Sequence, residues 1–177
     1  MKKMVFISLT LFSILTGCTK KEPTRTSGID TIDNTTHFST TYFQYGFSFT
    51  GANLVATYPG PGPDITLIVN FNDVDVPRLT LQSENMLASF YKAGEFADET
   101  AAKSAFDNLK TVSVSQWLDT ADPVMPNQVW IYRSGTEHYT KFRIISSINE
   151  TRQTVPYGEI TFQWVYQPDG SSTFPAK

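Results

Sequence analysis

Apolar and polar positions alternate along much of the chain, and that period predicts strands. Phe43, Tyr45, Phe47 and Phe49 alternate with Tyr42, Gln44, Gly46 and Ser48, the pattern of a strand with one buried face. Ile65, Leu67, Val69 and Phe71 repeat it. The C-terminal third is clearest. Gln128 to Arg133 and Tyr139 to Ser146 read as strands joined by Ser134-Gly135-Thr136-Glu137, a β-hairpin. From Gly158 to Tyr166, Ile160, Phe162, Trp164 and Tyr166 alternate with Glu159, Thr161 and Gln163, and Gln167-Pro168-Asp169-Gly170 ends the strand as a turn.

One stretch has helical spacing. Thr100 can cap a run that places Ala102, Phe106 and Leu109 on one face, and Asp98 and Glu99 suit the positive end of the helix dipole. The proline–glycine run Tyr58 to Pro63 is a rigid connection without the lysine and hydroxyl residue of a phosphate loop. The predicted fold is therefore mainly β: an antiparallel, sandwich-like domain with one short packed helix. It occupies residues 42–177.

The first 41 residues follow a different rule. Lys2 and Lys3 precede an apolar run from Val5 to Leu15, interrupted by Ser8, Thr10 and Ser13, which is the layout of a signal peptide over residues 1–17. As a helix this run reaches about 16 Å, half of a bilayer core, so a permanent span is disfavoured. From Thr19 to Thr41 the chain is rich in threonine and poor in apolar residues. Residues 18–41 are thus expected to form a flexible tether.

Charge and composition narrow the function. Taking Lys2 and Lys3 from the 14 basic residues leaves the 17 acidic ones in excess by about five, which argues against a nucleic-acid surface. The single cysteine is Cys18. If it is modified, no thiol remains for a disulfide, a zinc site or a nucleophile.

Leu15-Thr16-Gly17-Cys18 resembles the lipobox of bacterial lipoproteins. That resemblance implies recognition of Leu15, Thr16 and Gly17 by the lipoprotein signal peptidase, cleavage before Cys18, and acylation of Cys18. Two or three acyl chains, at ~0.8 kcal/mol per buried methylene, hold a protein at a membrane. Thr19, in place of an aspartate, implies the outer membrane, and Lys20-Lys21-Glu22 resembles a surface-export signal of Bacteroides-group bacteria. Periplasmic and surface orientation both stay open. Asp30-Thr31-Ile32 and Asp119-Thr120-Ala121 resemble O-glycosylation sites of that group, which makes Thr31 and Thr120 candidate modification sites.

A second resemblance lies in Gln128-Val129-Trp130-Ile131-Tyr132, Tyr139-Thr140-Lys141-Phe142-Arg143-Ile144 and Gly158-Glu159-Ile160-Thr161-Phe162-Gln163-Trp164-Val165-Tyr166. These segments resemble the closing strands of HmuY-type haem-binding lipoproteins. The resemblance implies an all-β, lipid-anchored binding protein with haem as a candidate cofactor. It carries over no axial ligand, because neither His37, in the presumed tether, nor His138, at the hairpin turn, matches the family's positions. Met86 and Met125 are the other candidates.

Among the remaining residues, Trp117 and Met125 are candidate ligand contacts, Trp117 because it follows a short strand and precedes a loop. Trp130 and Trp164 sit in alternating strands, where packing is the default. Asn70, Asn72, Asp73 and Asp75 could offer oxygens to calcium, but they lack the glycine and distal glutamate of a calcium loop, so a solvated turn is the better reading. No Gly-x-Ser-x-Gly, His-Glu-x-x-His or Cys-x-x-Cys pattern occurs, so no enzyme class is supported. Two functions stay in view: a non-enzymatic lipoprotein binding a small ligand of the haem or glycan class, and an accessory subunit docking on another outer-membrane protein.

Overall fold

The computed structural model describes residues 25–71, 77–84 and 87–175. Within them the chain forms β1 (Ser27–Asp33), β2 (Thr36–Phe38), β3 (Tyr42–Ser48), β4 (Asn53–Ala56), β5 (Ile65–Phe71), β6 (Pro77–Ser83) and β7 (Phe90–Glu95). Helix α1 (Glu99–Asn108) follows, then β8 (Thr120–Ala121), β9 (Gln128–Arg133), β10 (Tyr139–Arg152) and β11 (Val155–Gln167). The strands make two antiparallel sheets, ordered β1-β11-β10-β9-β7 and β2-β3-β5-β6-β8, with β4 on β3. Among the described residues, the mainly-β, sandwich-like fold with a single short helix is thus the observed one.

The alternating aromatics close the sandwich. Phe47 and Phe49 of the second sheet meet Phe162 and Trp164 of the first, with Phe47 lying 5.5 Å from Phe162 and 5.4 Å from Trp164 between ring centres. All four are fully buried. Edge-on and tilted ring packing of this kind adds to the ~1.5–3 kcal/mol that burying each large apolar side chain contributes. The outer face of the first sheet has its own smaller core, where Phe106 of α1 and Phe174 pack on Val129 and Val165.

Lys141 joins that second core to the helix. Its Nζ donates to the carbonyls of Phe106 (2.7 Å) and Leu109 (2.8 Å) at the end of α1, which has no basic residue in its last turn. A buried ammonium here satisfies carbonyls that the helix itself leaves open.

The folded domain starts earlier than a tether over residues 18–41 allows. Residues Ser27–Asp33 pair with β11 along their whole length, and Ile32 is buried. Composition misses this strand because polar contacts hold much of it. Asp30 accepts the indole N–H of buried Trp164 at 2.7 Å and pairs with Arg25 at 2.7 Å, while Thr31 and Thr161 share a hydrogen bond at 2.9 Å. The helix cap is also corrected. Asp98 takes the position expected of Thr100, its carboxylate accepting the Ala101 N–H at 2.8 Å. An aspartate there both caps and offsets the dipole.

Strands β10 and β11 run further than the predicted segments, to Arg152 and from Val155. Gln153 (φ 48°) and Thr154 (φ 73°) both adopt left-handed backbone between them. Two positive φ values are what a two-residue hairpin turn demands, although neither residue signals one.

Candidate functional site

The residues singled out by sequence lie apart. The Trp117 ring stacks on Tyr139 with 6.2 Å between centres, and the Arg133 guanidinium lies 4.5 Å over it. Its half-buried ring is engaged in covering the first sheet. Met125 is exposed and precedes β9, its N–H donating to Gln128 Oε1 at 3.0 Å. Tyr139 and Arg133 are paired at the far end of β9 from Gln128, about 17 Å along the strand. Trp117 and Met125 do not form one site.

Trp130 and Trp164 are fully buried. His138 belongs to the hairpin turn, its Nδ1 3.0 Å from Thr136 Oγ1 and its ring stacked on Tyr166. Thr31 is exposed on β1, and Thr120 is half-buried on β8 opposite Gln82. Asn70 donates to Thr80. Leu15, Thr16, Gly17 and Cys18 lie outside the described residues, as do Asn72, Asp73, Asp75 and Met86. Among the described residues no group of three or more His, Cys, Asp or Glu is placed to hold a metal ion, and no helix is long and apolar enough to cross a membrane.

A different region gathers rings at the surface. The β2–β3 hairpin pairs Thr36 with Gln44, His37 with Phe43 and Phe38 with Tyr42. Because side chains alternate, directly paired residues share a face. His37, Phe43 and Tyr45 therefore cluster on one side, with centres 5.0–5.5 Å apart. Phe38 and Tyr42 make a pair on the other, 5.0 Å apart. These two are 67% and 72% exposed, and Tyr45, on the His37 side, and Tyr58 are exposed as well. Thr57 bonds to the backbone of Gln44, which continues the β4 pairing and brings Tyr58 to the same corner.

A cleft of about 460 Å³ opens next to the Phe38–Tyr42 pair, lined by Asn34, Thr36, Gln44, Val69, Arg152 and Tyr157. Thr36 and Gln44 occupy the same hairpin face as the two rings. Asn34 braces the cleft by donating to Pro156 O (3.1 Å) and accepting from Gly158 N–H (2.8 Å). Gln44 Nε2 donates to Asn34 O at 3.0 Å. Arg152 lies over Tyr157, its guanidinium carbon 3.3 Å from the ring centre, and its Nε donates to Glu150 at 2.6 Å. Tyr157 donates to Glu159 at 2.6 Å. Burial first, then that bond, push its hydroxyl up to about 12, so it stays protonated.

Charge is absent from the hairpin segment of this corner, while Arg152 lines the cleft with Glu150, Glu159 and Asp33 near it. From Asn34 to Pro63 the chain has no Asp, Glu, Lys or Arg, and His37 is its one histidine. Among the described residues, the Thr36 hydroxyl and Gln44 Oε1 take no protein partner, whereas Arg152 is engaged with Glu150 and Tyr157. The arrangement can stack a flat apolar face and hydrogen-bond a neutral polar edge. Sequence reading missed it because His37 and Phe38 fell within the presumed tether and Phe43 and Tyr45 read as core. No family model and no curated protein matches the chain.

Proposed function

We propose that the protein is a lipid-anchored, non-enzymatic binding module of a Gram-negative outer membrane, acylated on Cys18, which meets its ligand at the β2–β3–β4 corner. The observation that carries the reading is the cluster of exposed rings there. Soluble surfaces seldom leave so many aromatic side chains together in water without a partner for them.

The direction of the strands supports an outward-facing corner. Even fully extended, the seven residues from Cys18 to Arg25 reach about 25 Å. Arg25 lies by the Trp164 ring and bonds Ala52 O, at the end of the sandwich where β1 begins and β3 ends. Strand β1 leads away from that end, and β3 starts at the other, beside the rings. The corner thus stands about 20 Å further from the anchor along either strand.

A haem held by paired histidines finds no support in this arrangement. His37 is on β2 at the outer end, whereas His138 lies near Gly170 at the anchor end. The HmuY-type likeness covers β9, β10 and β11, which serve here as packed sheet strands.

The test uses the lipidated chain in vesicles. With Cys18 acylated, Thr40→Cys supplies a single free thiol in the loop between β2 and β3. Intact mass should show a chain beginning at acylated Cys18, and a fluorophore on residue 40 should be untouched by a lipid-borne quencher. An unmodified Cys18, or strong quenching at residue 40, overturns the proposal.

A further inference from the structure

We infer that the Phe38–Tyr42 ring pair and the adjoining cleft bind a neutral glycan. The inference rests on the binding-module reading above and names the ligand class of that same corner.

Three observations converge on it. The two rings are exposed, tilted at 52° to each other, and stand on the same hairpin face as Thr36 and Gln44, two positions along from these cleft-lining residues. A pyranose has an apolar C–H face, weakly positive, that suits the negative face of an aromatic ring. Its rim of hydroxyl groups needs neutral donors and acceptors. Thr36 and Gln44 offer both within the cleft. The volume, about 460 Å³, falls within the roughly 300–1,000 Å³ of small-ligand sites.

The charge pattern decides between ligand classes. An anionic polymer, a nucleic acid or an acidic lipid surface would be met by several cations. Here the segment from Asn34 to Pro63 carries none of Lys or Arg. The one guanidinium at the cleft, Arg152, is paired with Glu150 and spread over Tyr157, with Glu159 beyond. Its charge is offset by Glu150, with Asp33 and Glu159 also acting on Tyr157, so the cleft offers an anion no surplus of positive charge.

Affinity electrophoresis of the full lipidated chain in detergent tests this. The gels contain, separately, the neutral polymers starch, xylan, mannan, galactan and mixed-linkage β-glucan, and the anionic polymers polygalacturonate and heparin. At least one neutral polymer should retard the chain. Phe38→Ala with Tyr42→Ala should weaken that retardation by at least about tenfold, the scale of two lost ring stacks. Phe38→Trp with Tyr42→Trp should restore it, and Trp117→Ala should leave it unchanged. Retardation by anionic polymers alone, lost in the double alanine variant, overturns the neutral-glycan assignment while the binding-module reading survives. No retardation by any polymer, or retardation indifferent to the rings, overturns the inference.

Discussion

Asp64 follows directly on the Tyr58–Pro63 connection with both carboxylate oxygens engaged. Oδ2 accepts the Phe49 N–H at 2.7 Å and the Ser48 hydroxyl at 3.3 Å, and Oδ1 faces the Tyr132 hydroxyl at 3.5 Å. Burial pushes this carboxyl above its ordinary 3.8, against the lowering effect of those donors. Burial, and then the charge on Asp64, push the Tyr132 phenol up as well. A carboxyl raised on folding binds its proton more tightly in the native state, so its contribution to stability falls as pH rises from 3.8 through the raised value. Asp64→Asn removes that titration. In urea unfolding at about pH 4 and about pH 7, the wild type should lose ground against Asp64→Asn at the higher pH. An unchanged difference would show that Asp64 does not titrate abnormally. None of this is legible in sequence, where Asp64 is an ordinary turn residue after a proline.

At the scale of elements, periodicity reports strands that bury one face evenly and passes over those held by contacts from elsewhere. Strands β3, β5 and β11 carry alternations that predict them, while β9 and the start of β10, buried on both faces, are predicted by the hairpin turn between them. β6 offers just Leu79 and Leu81 as buried apolar residues on its inner face, and β7 buries Phe90 alone. β1 pairs Ile32 with a neighbour, Ile29, that is 57% exposed; its place is secured by Asp30 and Thr31 reaching β11. The turn joining β10 to β11 is equally silent, because Gln153-Thr154 lacks the Asn-Gly signature of its conformation. A β-branched residue at φ 73° is strained. Thr154→Gly should therefore stabilise the protein by about 1 kcal/mol, raising the melting midpoint by roughly 2–4 °C. A lower midpoint would mean that the threonine side chain contributes more than its backbone costs.

For the molecule as a whole, local pattern and function part company. Phe43 and Tyr45 continue the alternation of Phe47 and Phe49, so the same period describes buried rings, the half-buried Phe43 and the exposed Tyr45. What separates them is packing in the assembled sandwich, where Phe47 and Phe49 meet Phe162 and Trp164. The lone Trp117 drew the eye in sequence, yet its ring is held by Arg133 and Tyr139. The neutral run from Asn34 to Pro63 was there to be read, but it gains meaning once β2, β3 and β4 bring its rings together. Native mass spectrometry of the lipidated protein, extracted gently from its own membrane, tests the central claim that this corner holds a ligand. The wild type should carry additional non-covalent mass that is absent from the Phe38→Ala, Tyr42→Ala variant and retained by Trp117→Ala. A bare wild type, or the same added mass on all three, would contradict it.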